Sequence, residues 1–235
     1  MAYTKQQTID NLYSQMTPIE NLYKSKCINW VGETSDTKEF YSEVISNELL
    51  RNLKEFDKIG KISRTKSYCL GNHHKIEFDC SDSNRNEENF AKRITGLNFK
   101  GLGSIIDYQI PLKDSQSDRA GKIDLISYDE KWKILRLIEF KYEDSKETLL
   151  RTVLEIFTYF RIIDSDKLIR DYFSKQGVIP ENIKIVPSIL ITPESNPCKE
   201  FEQMDRGRRQ KLKTLLLALE IDIFVLDFTI YHEEL

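Results

Sequence analysis

The chain has 235 residues, a length that suits one moderately large α/β domain or a domain with an appendage. Hydrophobic residues make up 40 %, enough for a core, yet no apolar run approaches the roughly 20 residues that a membrane-crossing helix needs. The net charge of −3, from 35 basic and 38 acidic residues, is not the overall footprint of a typical nucleic-acid binder, so any contact with phosphates must rest on a local patch.

The opening stretch, MAYTKQQTIDNLYSQ, has no apolar core of a signal peptide, and a cytoplasmic protein is the default expectation. Residues 1–60 read as an N-terminal helical appendage on a larger domain spanning 61–235. Thr17 and Pro18 suit a helix start, with Thr17 as cap and Pro18 in the first turn. Thr37 to Phe56 follows as a longer amphipathic helix, with Phe40, Val44, Ile45, Leu49, Leu50 and Leu53 on one stripe.

Lys61 to Cys80 is expected to form a hairpin turning at Gly71-Asn72. Cys69, His73, His74 and Cys80 lie close together there, but their spacing matches no common structural zinc pattern. The four cysteines, Cys27, Cys69, Cys80 and Cys198, lack CxxC pairing and read as free thiols of a reducing compartment.

A helix is expected over Glu87 to Leu97, with Glu87, Phe90, Ala91 and Ile94 on one face. Glu87 then points inward, although Glu87 and Glu88 also simply suit the positive end of a helix. Ser104 to Leu112 is the first core strand, and Pro111 marks its end. Two apolar runs of strand length follow, Lys122–Tyr128 and Ile134–Tyr142, around a polar turn at Asp129, Glu130 and Lys131.

Three charges interrupt that hairpin: Asp124 in its first strand, Glu139 and Lys141 in its second. Charges in apolar strands are costly to bury unless paired or metal-bound. Alternate residues of a strand share a face, so Glu139 and Lys141 point the same way. In-register pairing brings Asp124 near Glu139, joining two carboxylates and one ammonium. A structural ion pair would explain such charges too, but buried pairs stabilise weakly because desolvation offsets attraction.

Asp124, fourteen intervening residues, then Glu139-Phe140-Lys141 resembles the D…(D/E)xK signature of the PD-(D/E)XK nuclease superfamily. Ile123 stands where the family name has proline. The resemblance implies an α/β fold, a mixed central β-sheet flanked by helices with a restriction-endonuclease-like core. It implies metal-dependent hydrolysis of phosphodiester bonds, in DNA before RNA. Asp124, Glu139 and the backbone carbonyl of Phe140 would ligate Mg2+ or Mn2+, with Glu87 as a further acidic group. Lys141 would hold the attacking water or stabilise charge on the phosphate. A catalytically inactive, nuclease-like binding or assembly protein is the alternative, and a homodimer or a protein partner stays open.

Asp144-Ser145 is expected to cap a long helix from Lys146 to about Ile163. Glu155 and Tyr159 sit one turn apart on it, resembling the QxxxY motif of the RecB-type and lambda-exonuclease-like branch, with Glu in place of Gln. An Arg151–Glu155 pair with Tyr159 in the core is the plainer alternative. A short helix from Asp166 to Lys175, a strand from Lys184 to Thr192, a loop from Glu194 to Lys199, one helix from Phe201 to Leu219 and a strand from Asp222 to Thr229 complete the order. Arg206, Arg208, Arg209, Lys211 and Lys213 form a basic run, either a phosphate-neutralising patch or a solvated helix face.

Overall fold

The computed structural model describes residues 2–69, 86–114, 121–174 and 180–226. Its described helices are α1 (Lys5–Gln15), α2 (Tyr41–Arg51), α3 (Asn86–Ile94), α4 (Leu149–Ile162), α5 (Ser165–Phe173), α6 (Asn196–Asp205) and α7 (Gln210–Ala218). The described strands are β1 (Asn98–Phe99), β2 (Gly103–Pro111), β3 (Lys122–Asp129), β4 (Ile134–Lys141), β5 (Lys184–Ile191) and β6 (Asp222–Val225), ordered β1-β2-β3-β4-β5-β6 in one sheet. β1 to β4 pair antiparallel. Lys184 N–H donates to Lys133 O and Thr192 N–H to Lys141 O, the same offset at both ends, so β5 runs parallel to β4. The expected α/β class and mixed sheet are therefore present. No described helix is long and apolar enough to cross a membrane.

The chain divides into two compact units. The first joins Met1–Gly60 to Lys141–Thr158 and Ile189–Leu235. Its α1 opens on a reciprocal cap: Thr4 Oγ1 accepts from Gln7 N–H while the Gln7 side chain accepts from Thr4 N–H. α2 buries Val44, Ile45 and Leu49, and α7 buries Leu212, Leu215 and Leu216. Glu43 of α2 accepts from the N–H groups of Lys211 and Leu212, so a carboxylate satisfies the exposed donors at the start of α7.

The second unit joins Lys61–Phe140 to Tyr159–Ser188. Ile105, Ile110, Ile123, Leu125, Leu135 and Leu137 from β2, β3 and β4 are fully buried in it. Tyr172 of α5 donates to the buried Asp107 of β2 at 2.6 Å. Burial, reinforced by the Asp107 charge, pushes the Tyr172 hydroxyl well above the usual tyrosine range.

Several boundaries differ from expectation. Residues 61–69 form no strand. Arg64 donates to the carbonyls of Lys113 and Ser67, and Asp114 accepts from Thr65 N–H (2.8 Å), Thr65 Oγ1 (2.5 Å) and Lys66 N–H (2.9 Å). These side-chain bonds compete successfully with a strand ladder. The expected Gly71-Asn72 turn, with His73, His74 and Cys80, lies outside the described residues. Ile19–Lys24 is a 3-10 helix after a cis Thr17–Pro18 bond, and the long helix at Thr37 to Phe56 shortens to α2 plus a 3-10 turn at Leu53–Lys58.

α4 starts three residues later than expected. Thr148 caps it, accepting from Arg151 N–H at 3.2 Å and donating to Ile28 O at 2.8 Å. The single helix expected over Phe201 to Leu219 is two. Ser195 caps α6 by accepting from Cys198 N–H, and Pro197 enters its first turn. Gly207, at φ +79°, lets the backbone turn before α7 begins.

Asp114 links the stability of this segment to pH. Thr65 and Lys66 pull its carboxyl from the ordinary 3.8 down to about 2, the Thr65 hydroxyl contributing most. A depressed carboxyl adds stability that is present above its unfolded value and is lost as pH falls through its folded value. The stability gap between wild type and Asp114→Asn, read by urea unfolding, should close as pH drops from about 4 to about 2.

Candidate active site

Asp124 lies on β3, between two strands that treat it differently. On the β2 side the register pairs Tyr108 with Leu125 and Ile110 with Ile123, which sets Gln109 opposite Asp124. Gln109 Nε2 donates to Asp124 Oδ1 at 3.0 Å. Gln109 also has φ of 51°, uncommon for a residue with a side chain and found where surrounding structure over-determines the backbone.

On the β4 side the ladder runs from Asp129–Ile134 to Leu125–Ile138. The ladder ends there; continued by one residue, the same register would set Asp124 opposite Glu139. Directly opposed residues of antiparallel strands share a face, with Cβ atoms roughly 4.5–5.5 Å apart. Asp124 Oδ2 accepts from Phe140 N–H at 3.0 Å, so the carboxylate takes a donor that a ladder carbonyl would otherwise meet. Two fixed donors therefore orient Asp124, which remains half-buried, while Glu139 is only 4 % exposed.

Lys141 ends β4, two residues beyond Glu139 and on the same face by strand alternation. It is buried, and its Nζ lies 3.0 Å from Glu147 Oε2. Glu147 Oε1 in turn meets Arg151 Nε at 3.1 Å. The late start of α4 leaves Glu147 in the connection before the helix, where it reaches back to the end of β4. Sequence reasoning missed both Glu147 and Gln109. The Glu147–Arg151 spacing of four residues was a visible signal, whereas Gln109 emerges only from the strand register.

The remaining expected site residues fall at different depths. Phe140 is fully buried and stacks on Phe90 of α3, ring centroids 5.2 Å apart. α3 therefore packs on the sheet face that Phe140 presents, whereas alternation turns Glu139 to the other face. Glu87 is half-buried on α3, one turn before Phe90, and Glu88 pairs with Lys92 at 3.1 Å. Glu155 is half-buried on α4 and Tyr159 is buried one turn later. The Tyr159 ring and hydroxyl lie against Gly121 in the space a Cβ would fill, and Gly121 has φ of +77°. Only glycine suits that backbone and that contact, three residues before Asp124.

Among the described residues, no three His, Cys, Asp or Glu side chains gather as a metal cage. Away from its turn, the hairpin carries two carboxylates, Asp124 and Glu139. That pair fits magnesium or manganese, hard cations that bind through one or two carboxylates and keep several waters for exchange with phosphate oxygens. It does not fit zinc, which favours His and Cys in a closed tetrahedron. Burial pushes the Cys27 thiol up to about 11 and raises that of Cys198 too, away from a reactive thiolate. In comparisons with protein-family models, curated proteins and solved structures, nothing matches the chain.

Proposed function

We propose that this chain is a metal-dependent nuclease of the PD-(D/E)XK type, with a restriction-endonuclease-like core, hydrolysing phosphodiester bonds in DNA. The observation that carries the reading is the β3–β4 hairpin, whose register, continued one residue past the Leu125–Ile138 pair, would set Asp124 opposite Glu139, with Lys141 two residues further along the same strand. Such a grouping is hard to account for by stability alone, because each buried charge loses hydration.

Bound magnesium or manganese would supply Lewis-acid stabilisation of the phosphate and an acidified water. The protein's part is positional. Gln109 and the Phe140 N–H fix the Asp124 carboxylate, and Glu139 offers the second carboxylate from the neighbouring strand. Lys141 would stabilise negative charge as it develops on the phosphate, and Glu147 holds the ammonium in place. Glu87 is left outside the ligand set because α3 lies on the Phe140 face. Tyr159 packs the start of β3 through Gly121, a positioning role.

A second reading has one observation in its favour. Lys141 is 6 % exposed and already paired with Glu147, as a purely structural lysine would be. In that case the chain would be an inactive nuclease-like binding protein. Incubation with magnesium or manganese and linear, circular and single-stranded DNA separates the two. Metal-dependent cleavage supports the nuclease, and metal binding without cleavage of any substrate supports the alternative.

A further inference from the structure

The basic run at residues 206–213 divides sharply once its partners are known. Arg209 is buried against Glu200 at 3.3 Å, Arg206 pairs with Glu202 at 3.3 Å, and Lys213 lies 3.8 Å from Asp205. Arg208 and Lys211 have no carboxylate partner among the described residues, and both are exposed. They line a cleft of about 480 Å³ in the first unit, together with Lys38 and Phe40.

The charges of this cleft are unevenly committed. Lys5 is held by Glu39 at 2.7 Å, and that ammonium keeps the Glu39 carboxyl below the usual carboxylate range. Glu43 is occupied by the N–H groups that open α7. With Lys5 set against Glu39, three cations, Lys38, Arg208 and Lys211, face two carboxylates, Glu33 and Glu43, so the cleft keeps a net positive charge. Phe40 lies beneath the Arg208 guanidinium, 5.2 Å from ring centroid to Cζ, which orders that side chain before any ligand arrives. Lys38 is held at φ 56°, a conformation that needs support from its surroundings.

We infer that this cleft binds a phosphate group, either the terminal phosphate of a nucleotide or that of a nucleic-acid strand end. An ordered guanidinium gives paired N–H donors matched to phosphate oxygens, and two lysines add mobile point charges. The cleft contains none of the residues assigned to cleavage, so it stands or falls independently of the nuclease reading. Glu33 sets a limit on the ligand, because it repels an extended polyanion along its side of the cleft while tolerating a single terminal group.

The test is calorimetric titration of the full chain, in EDTA, with inorganic pyrophosphate, thymidine 5′-monophosphate, and tetrathymidine with and without a 5′-phosphate. Pyrophosphate should bind. Arg208→Gln and Lys211→Gln should each weaken binding about tenfold, as expected for loss of one charge-assisted contact. Lys213→Gln, whose ammonium is engaged by Asp205, should bind as wild type does. Tighter binding of the phosphorylated than of the unphosphorylated oligonucleotide identifies a strand end, and tighter binding of the mononucleotide identifies a free nucleotide. Absence of binding to every probe at millimolar concentration overturns the inference. Equal affinities for wild type and Arg208→Gln, with unfolding midpoints unchanged, overturn it as well.

Discussion

Asp124→Asn is expected to leave the fold intact and to lower metal-dependent DNA cleavage by about a hundred- to thousandfold, the rate equivalent of several kcal/mol of charge stabilisation. Asparagine keeps an oxygen for the Phe140 N–H, so the bond that closes the end of the β3–β4 ladder survives. What it loses is the charge that would hold a cation. Lys141→Met should cause a fall of similar size, since one positioned donor at a developing anion is worth about a hundred- to thousandfold. Rates at saturating magnesium measure both. If Asp124→Asn cleaves as fast as wild type, Asp124 is not a ligand.

Arg209→Met is expected to destabilise the first unit by about 3–5 kcal/mol, the cost of leaving a buried carboxylate without its counter-charge. Arg209 is 5 % exposed and Glu200 3 %. The guanidinium donates to Gln203 at 2.7 Å and to Ser42 Oγ, and it lies 4.1 Å from the Phe40 ring centroid. Glu200 accepts from Leu149 N–H at 2.8 Å, the first donor of α4. The pair thus ties α2, α4 and α6 together within one unit. Burial pushes the Glu200 carboxyl up and the Arg209 guanidinium down, each opposed by the partner's charge. Adding Glu200→Gln to Arg209→Met should recover part of the loss, because the stranded charge is removed. Arg206→Met, at an exposed pair with Glu202, should cost at most about 1 kcal/mol. Urea unfolding at neutral pH ranks the three, and equal losses for Arg206→Met and Arg209→Met would contradict the account.

The central hairpin was legible because its chemistry is local. Lys122–Tyr128 and Ile134–Tyr142 are apolar runs of strand length, and β3 and β4 match them within a residue. The pairing of the two strands from Asp129–Ile134 to Leu125–Ile138 follows from the turn between those runs. The basic run at residues 206–213 could not be sorted from sequence, because burial and pairing separate Arg209 from Arg208 although they are adjacent. The break between α6 and α7 was hidden for a similar reason. Apolar spacing continues across Gly207, while the Ser195 cap and the positive φ of Gly207 decide where each helix begins and ends. Gln109 and Glu147 share that cause: each gains its role from a partner fifteen or six residues away, Asp124 or Lys141, that only the fold brings near.

The most direct measurement is anomalous diffraction from crystals of the full chain soaked in manganese. A peak bridging the Asp124 and Glu139 carboxylates, lost in Asp124→Asn, is the expected result. A peak elsewhere, or none at these two side chains at saturating manganese, would contradict it.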